Sequence, residues 1–166
     1  IVRPHPQFVR HCSDRLDMLE EKYKEYAGED FYIERDFLSS VSVFSADVLV
    51  TDWSSIAYEY AFSTEKPVLF IDTPMKVMNP EYHTIDVEPF DIYERKIVGL
   101  SMSVQEVAEE FEKGVEQLLA RADEYKEIIR AEREKMVYNI GQSGAVGADY
   151  IIKRLEEIAK EKEMDE

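Results

Sequence analysis

Apolar and polar positions change their rhythm several times along this chain, and one stretch sets the frame for the rest. Val48-Leu49-Val50 is a short continuous apolar run ending in the polar turn Thr51-Asp52-Trp53-Ser54-Ser55, and a helical pattern begins at Ile56. Lys66-Pro67-Val68-Leu69-Phe70-Ile71-Asp72 follows as a second apolar run of strand length. Strand, turn, helix and strand make a βαβ unit, and runs apolar on both faces suit a parallel sheet covered by helices.

Upstream, Ile1-Val2 reads as the end of a strand, so the sequence is expected to be a piece of a longer protein. Arg3-Pro4-His5-Pro6 is a rigid turn, because two prolines cannot continue a sheet. From Gln7 to Ala27 the spacing predicts a helix with Phe8, Cys12, Leu16, Leu19, Tyr23 and Tyr26 on one face, and Gly28 as its C-cap. Phe31 to Glu34 reads as a short strand. Asp36 then caps a helix that points Phe37, Leu38, Val41 and Phe44 inward. Strands and helices alternate as an open doubly wound sheet requires.

Downstream, Thr73 to Gly99 shows no clear period and contains Pro74, Asn79-Pro80 and Pro89. Loops this long in a compact domain are commonly functional, although nothing in the spacing of Tyr82, His83, Asp86 and Glu88 singles them out. Ser103-Val104-Gln105-Glu106 is a capping box opening an amphipathic helix with Val104, Val107, Phe111, Val115 and Leu118 on its apolar side. A further helix spans 122–138. Gly141, Gly144 and Gly147 form a turn and not a dinucleotide fingerprint, because no strand leads into them. Ser143 caps a last helix with Ala148, Ile151, Ile152, Leu155 and Ile158 facing inward. The pattern thus gives one domain over 1–159 and an acidic, frayed tail over 160–166.

Composition narrows the function classes. The 166 residues carry a formal net charge of −16, which repels nucleic acid and excludes it as an expected partner. A single cysteine, Cys12, rules out an internal disulfide framework and fits a reducing cytoplasm. No apolar run approaches the roughly 20 residues of a membrane span. Clustered His/Cys ligands and Asp-x-Asp motifs are absent, so neither a metal nor a cofactor is expected.

The chemistry gathers at the first apolar run. Ligands of open α/β sheets bind at the carboxyl ends of the strands, where Thr51, Asp52, Ser54 and Ser55 fall. A helix opening there offers unpaired N–H groups and the positive end of its dipole, with two hydroxyls alongside. That combination suits a phosphate. An ordinary N-cap is the competing account of these residues, since Ser and Asp are the preferred caps.

The quoted segments together resemble one family. Arg3-Pro4-His5-Pro6, Ala46 to Ile56 with its Thr-Asp-Trp-Ser-Ser core, Glu59-Tyr60-Ala61 and Lys66 to Phe70 are similar to the CDP-glycerol glycerophosphotransferases, which build or prime teichoic acid-type polymers. The resemblance is close over the first half and holds in outline beyond it. It implies the C-terminal, donor-binding half of a GT-B enzyme: a Rossmann-like open parallel sheet with helices on both faces, working against a missing N-terminal domain. It implies that Ser54 and Ser55, with Thr51 and Asp52, hold the donor pyrophosphate, and that Arg3 contacts substrate. Glu59 would reach the ribose. His5 would stabilise the transferred phosphoryl group in its protonated form. The partners implied are a CDP-activated polyol and a hydroxyl acceptor, at the inner face of the membrane.

The chain departs from the family pattern in places. Trp53 replaces the usual Tyr, and the segment 75–97 lacks the family's aspartate- and glycine-rich character. The general-base histidine belongs to the N-terminal half. A UDP- or GDP-sugar transferase or epimerase of the same fold, and a non-catalytic nucleotide-binding domain, are the rival readings.

Overall fold

The computed structural model describes residues 1–28, 30–75, 77 and 79–164. Its centre is a three-stranded parallel sheet of β1 (Leu49–Thr51), β2 (Val68–Asp72) and β3 (Gly99–Ser103), in that spatial order. Leu49 pairs with Val68, and Val68 with Gly99, so the three strands run in register from their first residues. In the middle strand Val68, Leu69 and Phe70 are fully buried, which explains an apolar run without alternation. Gly99 is obligatory, because a Cβ there would lie 1.8 Å from the Val68 carbonyl oxygen.

Around the sheet the chain forms α1 (Pro6–His11), α2 (Ser13–Lys22), α3 (Val41–Ser45), α4 (Ile56–Thr64), α5 (Phe90–Val98), α6 (Val104–Ala120), α7 (Ala122–Met136) and α8 (Ser143–Met164). Helices α4, α5 and α6 pack on the strands, and α7 packs on α4 and α5. The core joins Ala57, Tyr60 and Ala61 of α4 to the β2 residues, Val98, Leu118 and Ile129. The α6 capping box forms as its sequence requires: Ser103 Oγ accepts from Glu106 N–H while the Glu106 carboxylate accepts from Ser103 N–H. Glu65 ends α4 in the left-handed region (φ 57°), and its carboxylate accepts from Arg130 and Arg133 of α7.

Several periodicity readings are corrected. The helix expected over 7–27 breaks at Cys12 (φ −137°), and α2 ends at Lys22, well before Gly28. The strand expected at Phe31 to Glu34 is two isolated parallel bridges, Val2 to Ile33 and Ala27 to Phe31. Asp36 caps no long helix: its carboxylate accepts from Leu38 N–H, and Phe37, Leu38, Val41 and Phe44 are exposed around the short α3. The stretch read as irregular holds α5 and leads directly into β3. Helix α7 stops at Met136, two residues early. In α8, Ile151, Ile152 and Leu155 face outward and Ile158 is half-buried, because among the described residues no element packs extensively against that helix. The helix runs beyond Lys160 to Met164, while the tail residues Asp165 and Glu166 lie outside the described residues.

Candidate functional site

A pocket of about 670 Å³ lies at the carboxyl end of β1. One wall is the turn Thr51 to Ile56, and the other is Arg3-Pro4-His5-Pro6 with Phe37. Two segments nearly 50 residues apart therefore converge, as the alternating βα pattern demands of strand ends. Arg3, His5, Thr51, Asp52, Ser54 and Ser55 all line it. Glu59 does not: it sits one turn along α4 on a separate surface with Tyr58, Phe62 and Arg133.

The serines at the start of α4 do not behave as ordinary caps. Ser55 occupies the N-cap position of α4, yet its side chain makes no capping hydrogen bond. Among the described residues no protein partner is found for either serine hydroxyl, and the N–H groups of Ser54, Ser55 and Ile56 make no backbone bond. Donors left uncommitted at a helix start form an anion seat. The backbone carbonyl of Asp52 accepts from Arg95 Nη1 at 3.0 Å.

His5 is the N-cap of α1. Its Nδ1 accepts the Gln7 N–H at 3.1 Å, so Nε2 is the ring nitrogen that the cap leaves uncommitted. Arg3 is less free. Its Nη1 donates to Glu34 Oε2 at 2.5 Å and to Ser42 Oγ at 3.1 Å, which neutralises much of its charge.

Arg95 of α5 supports the turn from behind, and the pattern of the sequence did not reveal it. It is only 5% exposed, with its guanidinium 4.0 Å from the Trp53 ring centroid and 4.5 Å from that of Phe70. Nη1 donates to the Asp52 carbonyl at 3.0 Å, and Nη2 pairs with Asp72 at the end of β2. Trp53 is fixed a second time by Nε1–H donation to the Thr73 carbonyl at 2.8 Å. The one available signal was Glu94-Arg95 lying among apolar Phe90, Ile97 and Val98.

Glu94, beside Arg95, is fully buried, and among the described residues neither carboxylate oxygen has a partner. Burial, reinforced by the Glu132 carboxylate, pushes its pKa up to about 7. Among the described residues no group of three or more His, Cys, Asp or Glu is arranged to hold a metal ion, and no helix is long and apolar enough to cross a membrane.

The family model for CDP-Glycerol:Poly(glycerophosphate) glycerophosphotransferase matches residues 1–145. No curated protein and no solved structure matches the chain.

Proposed function

Because this chain belongs to the CDP-glycerol:poly(glycerophosphate) glycerophosphotransferase family, we propose that its pocket seats the diphosphate of a CDP-activated polyol. The full protein would then transfer the polyol phosphate to a hydroxyl acceptor at the inner face of the membrane. The observation that carries the reading is the pairing of uncommitted Ser54 and Ser55 donors with His5 across one pocket. In the transfer, the acceptor oxygen forms a bond to the phosphorus bearing the polyol. The bond from that phosphorus to the bridging oxygen breaks, CMP departs, and the acceptor proton passes to a base in a facing N-terminal domain of a GT-B enzyme. The two serines and the α4 N–H groups hold the departing phosphate, and His5 donates Nε2–H to oxygens that gain charge. Helix dipole and hydroxyls neutralise the diphosphate without a divalent ion.

Calorimetric titration of CDP into the wild type and into Ser54→Ala/Ser55→Ala tests it. Each lost hydrogen bond to a charged group is worth about 1.5–3 kcal/mol, so affinity is expected to fall at least tenfold. Unchanged affinity in the folded variant would remove the phosphate seat. Tighter binding of UDP or GDP than of CDP would move the chain to the nucleotide-sugar transferases.

A further inference from the structure

Ser54 and Ser55 are held by their carbonyls and left free at their donors. The Ser54 carbonyl accepts the Ala57 N–H at 3.2 Å, and the Ser55 carbonyl accepts those of Tyr58 and Glu59 at 3.1 and 3.3 Å. These bonds fix both serines from the α4 side. Among the described residues their hydroxyls and N–H groups have no protein partner.

On the β1 side the two preceding residues are held as well, by groups outside the walls of the pocket. The Asp52 carbonyl accepts from Arg95 Nη1 at 3.0 Å, and Trp53 Nε1–H donates to the Thr73 carbonyl at 2.8 Å. Arg95 Nη2 pairs with the Asp72 carboxylate, so Asp52 and Trp53 are tied to Asp72 and Thr73. The guanidinium is itself fixed between the rings of Trp53 and Phe70, and Phe70 is fully buried in β2. The Asp52 carbonyl shares one rigid peptide plane with the Trp53 N–H. Holding that oxygen therefore sets the angle at which the chain enters Ser54.

We propose that Arg95 is a positioning residue of the phosphate seat: without touching the ligand, it aims the Ser54, Ser55 and Ile56 donors by fixing the main chain ahead of them. The inference rests on the donor-binding reading above and adds to it a source for the affinity. Donors aimed in advance lose little freedom when an anion arrives, whereas donors on a loose turn must be ordered at the moment of binding. Lysine at this position would keep the charge and give up the fork that reaches Asp52 and Asp72 together.

Two measurements on the wild type and on Arg95→Lys test the proposal: calorimetric titration of CDP, and nitrogen relaxation of the backbone amides. Affinity is expected to fall about tenfold, the worth of one hydrogen bond from a charged donor. The order parameters of the Ser54, Ser55 and Ile56 amides should drop from about 0.85, the value of rigid backbone, to below about 0.7. Those of β2 and β3 should stay as they are. Unchanged affinity would overturn the proposal, and so would weaker binding with the turn still ordered. Loss of order across the sheet, or of the fold itself, would make Arg95 a core residue only and overturn it too. A wild type that does not bind CDP would overturn the donor-binding reading, and this inference with it.

Discussion

Arg95 shows how much a single side chain decides at this sheet edge. Its flat cation fills the space between Trp53 and Phe70, and its two nitrogens tie the ends of β1 and β2 together. Because Asp72 is half exposed, removing the arginine strands no buried charge, and the loss is one of packing and hydrogen bonds. Arg95→Met should cost about 2–3 kcal/mol, which for a chain of this size lowers Tm by about 5–10 °C. Arg95→Lys should recover only part of that, since an ammonium lacks the fork and the flat face. Differential scanning calorimetry of both variants measures it, and a Tm within 2 °C of the wild type for Arg95→Met would exclude the clamp. The turn itself was legible in the sequence, because an apolar run that ends in Thr-Asp-Trp-Ser-Ser marks a strand end followed by a helix start. Arg95 was not, because its partners lie 23 to 43 residues away and no local period records them.

Among the elements, α5 is where reading by period failed and where an unusual cost resides. Prolines before it hid its start, and Glu94 and Arg95 occupy two of the three positions that turn inward, beside Val98. The β1–α4–β2 unit, by contrast, was legible because buried parallel strands are continuous apolar runs. Between α5 and α7 the Glu94 carboxyl stands unpartnered, while Glu132 engages Lys135 at 2.6 Å and the Tyr93 hydroxyl at 3.4 Å. The folded protein therefore keeps a proton on Glu94 up to about pH 7, whereas the unfolded chain releases it near 4.5. Between those values the native state binds more protons, so the contribution is fully present below about 4.5 and is lost as pH rises through about 7. Glu94→Gln keeps the shape and removes the titration. It should stabilise the protein by about 3 kcal/mol at pH 8 and leave it nearly unchanged at pH 5. Urea unfolding of both proteins at the two pH values decides this, and equal gains at both would show that ionisation is not the cause.

At the scale of the molecule, two regions behave differently. The sheet with α4 to α7 holds nearly all of the buried core, and α8 holds none of it. The exposed Val146, Tyr150, Ile151 and Leu155 form an apolar side that only a contact beyond this structure's own elements would cover, which is why an amphipathic pattern suggested inward packing. Deleting residues 143–166 should consequently change Tm by less than about 3 °C, the effect of losing exposed side chains alone. A larger fall in thermal unfolding would mean that α8 packs on the domain. The last consequence concerns light. Trp53 is the single tryptophan in 166 residues, and it lines the pocket at the end of β1 with a cation against its face. Excited at the red edge of its absorption, where tyrosine is silent, the protein emits from that one turn alone. The site thus carries its own reporter, and no label is needed to watch a ligand arrive.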